Sequence, residues 1–410
     1  MIGYTASWVL PISEPPIRQG WVAVDGGRIV ARGTAVERPA GVSWSERGDA
    51  VLMPGLVNAH THLELSHLRG VISPAPDFLS WVRPLIARRG QDDPNDPTRM
   101  AAVSAAIEGG LADARRFGTA LVGDISNSLA SFEPLSRSPL AGVVFLELLG
   151  FNVPDPKRLV ASAAERIGAL AQTATARLSI AAHAPYSVAP ALYGEIRKLA
   201  ERSLRQPYSV HLAESPEEVE FVRSGLGPWR AMLEQIGVWN AEWQPPRTSP
   251  AEYLDREGFL SSHTVAAHGV QMSDADLRLL RARGTTLVTC PRSNHYVGVG
   301  WPPVERFFAS GVRVAVGTDS LASVEDLNLF SELAALRRLA PSVSAGRLLE
   351  SATRVGAEAL GFGADYGTLD PGRRAEIVAV QLPGGLERAA DVEEYLVSGI
   401  APDRVTWLPC

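Results

Sequence analysis

Apolar and polar positions follow two different rhythms along this chain. Residues 1–50 carry short runs in which they alternate, the period of a half-buried strand. Gly20-Trp-Val-Ala-Val-Asp25 and Arg28-Ile-Val-Ala-Arg-Gly33, joined by Gly26-Gly27, predict a β-hairpin. Similar runs return at Ala375–Val380, Glu394–Gly399 and Val405–Leu408. Two β-rich ends around a different middle predict a small β-sandwich built from residues 1–50 and 365–410.

Across residues 51–364 short, nearly continuous apolar runs alternate with long amphipathic stretches. The runs are Val51–Val57, Thr119–Ile125, Ala141–Leu149, Arg177–His183, Tyr208–Leu212, Thr264–His268, Thr285–Cys290 and Val312–Gly317. Helical spacing fills 98–117, 156–173, 189–205 and 217–236 between them. Strands buried on both faces and separated by helices describe a parallel sheet. Eight such repeats predict a (β/α)8 TIM-like barrel with its active site at the C-terminal strand ends. The Trp- and Pro-rich segment 237–256 reads either as a lid or as an ordered surface insertion.

Composition narrows the partners. Apolar residues make up 46% and charged residues 20%, an ordinary globular balance, and the formal net charge is −6. That sign disfavours a nucleic-acid backbone or an anionic membrane surface as partner, while leaving room for a nucleoside in a buried pocket. Two cysteines, Cys290 and Cys410, are too few for a disulfide framework and fit a reducing cytoplasm. No apolar run approaches membrane-spanning length, so no membrane partner is expected. A homodimer is compatible with this composition.

Chemistry gathers where the apolar runs stop. His60 and His62 follow the first run, and alternation along a strand aims both imidazoles the same way. The fourth run ends in His183, the fifth holds His211, the sixth ends in His268, and Asp319 follows the eighth. Singly, His183 or His268 reads as well as a structural histidine; together the strand ends hold six of the residue types that bind metals or move protons. His60, His62, His211 and Asp319 would supply three imidazoles and a carboxylate to one divalent metal, leaving a position for water. Lys157 and Lys198 are the only lysines and neither ends a strand, so no bridging lysine for a second metal is in view. Glu214, three residues after His211, is placed for proton transfer; its competing reading is an acid favoured at the start of a helix.

These residues resemble the amidohydrolase superfamily. Pro54-Gly-Leu-Val-Asn-Ala-His-Thr-His62, His211-Leu-Ala-Glu214, the histidine ending the sixth run and Gly317-Thr-Asp-Ser320 look like its deaminase and chlorohydrolase branch. The resemblance covers nearly the whole chain. It implies zinc, or iron(II), on His60, His62, His211 and Asp319, with Glu214 shuttling protons and His268 orienting water. Arg373-Arg-Ala-Glu376 departs from the usual Lys-Asp-Ala-Asp type of turn, away from the site. Within the branch, His62-Leu-Glu64-Leu-Ser66, Phe78-Leu-Ser-Trp81, Gly225-Leu-Gly-Pro228 and Cys290-Pro-Arg-Ser-Asn294 look like the aminodeoxyfutalosine deaminases.

The resemblance implies hydrolytic deamination of a 6-aminopurine nucleoside: Glu214 protonates ring N1 while His268 and Asp319 steady the attacking oxygen. Glu64 and Ser66 are the candidates for sugar or base hydroxyl and edge contacts, His183 for the sugar or a remote carboxylate, and Trp81 for a pocket wall. Trp81 reads equally as packing, and Glu64 equally as a loop-ordering acid. Adenosine, S-adenosylhomocysteine, methylthioadenosine, guanine and chlorinated triazines are the competing substrates, and a non-catalytic barrel scaffold is the competing class. Arg292, Asn294, His67, His263 and His295 have no role assigned from sequence.

Overall fold

In the computed structural model, which describes residues 1–90 and 95–409, seven of the eight apolar runs of the middle segment, together with Leu56–Thr61 at the end of the first, become one parallel sheet. Its strands are Leu56–Thr61, Thr119–Ser126, Ala141–Leu148, Ala176–Ala182, Tyr208–Leu212, Thr264–His268, Thr286–Thr289 and Arg313–Val316, hydrogen-bonded in chain order. The first and last meet through a parallel bridge between Thr61 and Asp319. The amides of Thr318 and Asp319 both donate to the His60 carbonyl, at 3.1 and 3.0 Å. That closeness needs Gly317, where a Cβ would lie 2.7 Å from the His60 carbonyl oxygen. Helices cover the outer face, as strands buried on both sides require: all eight residues of Thr119–Ser126 and of Ala141–Leu148 are buried.

Both ends of the chain join a second sheet of seven strands. Its order is Val405–Trp407, Ile377–Gln381, Ala50–Pro54, Ile2–Val9, Ile17–Asp25, Arg28–Thr34, with Ser43–Glu46 also pairing Ile2–Val9. Tyr4, Val22, Val24, Ile29, Leu52 and Ile377 share a core of their own inside it. The expected hairpin forms over residues 17–34.

Three boundaries differ from the sequence reading. The run Val51–Val57 is two strands, because the chain passes from the small sheet to the barrel at Gly55. A Cβ at Gly55 would sit 2.6 Å from both Ala120 and Trp407. The 217–236 stretch is two helices, Pro216–Ser224 and Pro228–Gln235, broken where Gly225 and Gly227 take φ of +72° and +88°. Residues 394–399, expected as a strand, instead end the helix Ala389–Leu396, whose buried Val392 and Leu396 are four apart. That helix packs against Ala345–Ser351 on the barrel. Among the described residues no helix is long and apolar enough to cross a membrane. Cys290 is buried; Cys410 lies outside the described residues.

Candidate active site

His60 and His62 leave the end of the first barrel strand with their rings 5.0 Å apart, and His211 brings a third imidazole from the fifth strand, 4.9 Å from His60. Nitrogens of the three lie within 4.8 Å of one another. The Nδ1–H of His211 donates to the His183 carbonyl at 3.0 Å, which leaves its Nε2 as a bare lone pair. That Nε2 faces His62 Nε2 at 3.2 Å. Both ring nitrogens of buried His60 are without a hydrogen-bond partner among the described residues. Burial first, then the neighbouring rings of His211, His62 and His268, holds the His60 imidazole well below its ordinary pKa, so it is neutral at pH 7. Neutral nitrogens crowded around one point, without donors to satisfy them, fit a cation.

Asp319 completes the group. Its Oδ1 lies 3.4 Å from His62 Nε2 and 3.8 Å from His60 Nε2. Its Oδ2 accepts from the Ser293 hydroxyl at 2.6 Å and the Ser323 hydroxyl at 3.3 Å, which fixes the carboxylate plane. Burial acts to raise the Asp319 carboxyl, but His62, His268 and Ser293 outweigh it and keep it ionised. Asp319 holds a φ of +60° and His268 one of +78°, left-handed conformations rare in non-glycine residues and concentrated at functional strand ends.

Glu214 and His268 stand beside this group, with Glu214 Oε1 3.6 Å from His268 Nδ1. Ligand-type atoms of Glu214, His268 and Asp319 also lie within 4.8 Å of one another. Burial, then the Asp319 and Glu218 carboxylates, pushes the Glu214 carboxyl well above the usual range, so it carries a proton readily. Burial takes His268 down to about 3, and the Asn294 amide nitrogen meets its Nδ1 at 3.0 Å. An imidazole this hard to protonate acts through hydrogen bonding rather than as a cation.

The same atoms open onto a cavity with mostly apolar walls, including Phe78, Trp81, Leu85, Tyr186, Trp229 and Met232, with Arg89 also on its wall. Trp229 stacks on Tyr186 at 3.7 Å between centroids. His183 and Trp81, both nominated from sequence, line this space. Ser66 and Glu64 do not. The Ser66 hydroxyl is buried against Gly110 without a hydrogen-bond partner among the described residues, and the Glu64 carboxylate accepts from the Ser126 and Ser128 hydroxyls and the amides of Asn127, Ser128 and Ala130. Glu64 therefore orders the loop after the second barrel strand, turned away from the cavity. Segment 237–256 packs Trp239 and Trp243 against Phe151 and Phe221, beside the cavity rather than across it.

Of the residues without a role from sequence, Arg292 binds Asp326 and Glu332, Asn294 meets His268, His67 meets the Glu64 carbonyl, His295 stacks on Trp301, and His263 is exposed. Sequence reasoning passed over Glu147 at the end of the third strand and Glu218 behind Glu214. The trace of Glu147 in sequence is that it is the one charged residue in the apolar run Ala141–Leu149.

Comparison with known proteins places this architecture. The amidohydrolase family profile matches residues 51–401. The aminodeoxyfutalosine deaminase of Deinococcus radiodurans is 33% identical over 365 residues, covering 83% of this chain and 81% of that protein. The crystal structure of Helicobacter pylori aminofutalosine deaminase in complex with methylthio-coformycin superposes with a TM-score of 0.84 at 25% identity, covering 99% of this chain and all of that one. An adenosine deaminase from Xanthomonas campestris with bound zinc gives a TM-score of 0.81 at 28% identity, covering 99% of this chain and 90% of that one. This chain belongs to the amidohydrolase family, in its branch of metal-dependent deaminases and chlorohydrolases.

Proposed function

We propose that the protein hydrolyses the 6-amino group from 6-amino-6-deoxyfutalosine, giving futalosine and ammonia in an alternative route to menaquinone. One observation carries the reading: a buried, readily protonated Glu214 stands beside the His60–His62–His211–Asp319 group, and both open onto a mostly apolar cavity walled in part by Arg89. In this reading those four residues hold one divalent ion, zinc or iron(II), which when bound lowers the pKa of water towards about 7. Glu214 delivers a proton to ring N1, takes one from the attacking water and passes it to the departing amine. His268 and Asp319 orient the water towards C6. The new C–O bond replaces the C–N bond and ammonia leaves, the remaining proton of the water passes from the new C6 hydroxyl back to Glu214, and the proton on N1 stays with the 6-oxo product.

Supporting the substrate, the aromatic and aliphatic walls suit an apolar substituent on the nucleoside, and the Arg89 guanidinium, which donates to Asn127 Oδ1 at 2.7 Å, is the cation on that wall suited to a substrate carboxylate. His183 and Trp81 border the bound nucleoside. The same walls suit a methylthio group, which makes methylthioadenosine the second substrate to test.

The test is ammonia release by metal-loaded protein from aminodeoxyfutalosine, methylthioadenosine, S-adenosylhomocysteine, adenosine and guanine. Aminodeoxyfutalosine should be preferred, and Glu214→Gln should lower its turnover by about 10²–10⁴-fold with metal content unchanged. Preference for another nucleoside keeps the mechanism and removes the pathway. Silence on all five, with metal bound, overturns the purine assignment.

A further inference from the structure

Two carboxylates near the cavity have opposite fates. That of Glu64 is fully engaged by the loop at 126–130, as described above. Glu147, at the end of the third barrel strand, is 6% exposed and lines the cavity. Its Oε2 accepts from the Asn127 side-chain amide at 2.9 Å, while its buried Oε1 accepts no hydrogen bond among the described residues. His211 Nδ1 lies 3.4 Å from that oxygen, with its proton directed to the His183 carbonyl. A buried carboxylate oxygen left in this state is costly, and the missing partner must be a donor, since an ionised carboxylate only accepts.

His183 supplies the second half. Its Nδ1 meets the Ser187 hydroxyl at 2.6 Å, so its Nε2 is the nitrogen left for the cavity. Ligand-type atoms of Glu147, His183 and His211 lie within 4.8 Å of one another. Two ordinary hydrogen bonds through one oxygen, or a pair of neighbouring oxygens, span that gap. A hydroxyl suits both sides, because it donates to Glu147 and can donate to or accept from His183 in either tautomer. We propose that Glu147 and His183 form a hydroxyl-binding subsite that holds the sugar diol of the nucleoside, with Glu147 as the residue that selects ribosides over deoxyribosides. This rests on the nucleoside reading above and adds to it the residue that reads the sugar. The subsite replaces the sugar contact that sequence reasoning gave to Glu64.

The test uses full-length metal-loaded protein and two inhibitors that differ in one hydroxyl, coformycin and 2′-deoxycoformycin, with binding measured by calorimetry. Wild type should favour coformycin by about 10–100-fold, the range of one hydrogen bond to a charged group. Glu147→Gln should bind coformycin more weakly by a similar factor and lose the preference. Glu147→Asp, which keeps the charge but draws it back, should fall between them. Metal per chain, measured on the same samples, should be one throughout. A Glu147→Gln protein that keeps the preference while binding both compounds overturns the subsite and leaves the nucleoside reading intact. Two metals in wild type falling to one in the variant would make Glu147 a metal ligand instead. Failure of wild type to bind either compound, together with no deamination of any nucleoside, removes both readings.

Discussion

Glu214 and Glu218 lie four residues apart, both buried, and the structure separates their work. Glu218 accepts from the backbone amides of Ala213 at 2.8 Å and Glu214 at 3.0 Å. Ala213 has a φ of +51°, a strained turn that throws the Glu214 side chain towards the candidate metal group. Glu218 thus acts as a positioning residue for Glu214. Removing it should leave metal content and KM near wild type and lower kcat, because misplacement of a proton donor by about 1 Å costs up to ~10²-fold. Glu218→Ala should show that loss, and Glu218→Gln, which keeps one acceptor oxygen, should recover part of it in steady-state kinetics. Equal losses in kcat and metal content would instead mark Glu218 as a purely structural residue. In the sequence the two acids were not equally visible: Glu214 stands at a telling distance from His211, whereas Glu218 looks like any acid in the first turn of a helix. Glu64 and Glu147 invert that lesson. The acid near the His-x-His motif is turned into a loop, and the acid hidden in an apolar run reaches the cavity. Direction of a side chain at a strand end or in a loop depends on partners more than 60 residues away, which no local pattern contains.

Elements meet around Asp124, which sits wholly buried on the second barrel strand. It accepts from the Leu63 amide at 2.7 Å and from the Ser131 hydroxyl, tying the turn after His62 to the segment after the second strand. Burial raises its carboxyl to about 8, against the pull of those two donors and with Glu64 pushing in the same direction as burial. The folded protein therefore holds a proton that the unfolded chain, with a carboxyl pKa near about 4, releases. Stability from this group is complete below about pH 4 and is lost as pH rises through about 8. Asp124→Asn removes the titration while keeping an oxygen for Leu63 and an amide for Ser131. Its urea midpoint relative to wild type should rise steadily between pH 5 and 8.5; a constant difference would show that Asp124 does not titrate in that window. At this scale the sequence was most legible where burial is symmetrical: seven of the eight barrel strands and the 17–34 hairpin lie where the apolar pattern puts them. It was least legible where apolar runs are short. Val51–Val57 cannot announce its division at Gly55, and residues 394–399 read as strand because three apolar positions suit either period.

Across the whole molecule, the candidate metal group joins residues from the first, fifth and eighth barrel strands, so an ion there would bind only the folded chain. Chelation should lower the melting temperature and zinc should restore it; metal at about a thousandfold above its Kd contributes ~4 kcal/mol. A melting temperature indifferent to chelator, with metal shown to be lost, would mean the site adds nothing to stability. Composition and the alternation of apolar runs determine the class of fold: strands buried on both faces must be covered by helices, and eight of them close. The spacing of His60, His62, His211, Glu214, His268 and Asp319 against those runs was enough to nominate one end of the barrel as the site, because a strand's last residue is placed by its own strand. Beyond Trp81 and His183, what the walls of the cavity are made of, which carboxylate faces it, and which acid holds Glu214 in place were decided in tertiary structure alone. Those groups come from helices and loops such as Phe78–Arg89, Pro228–Gln235 and residues 126–130, whose positions are set by packing between segments far apart in the chain rather than by any local period.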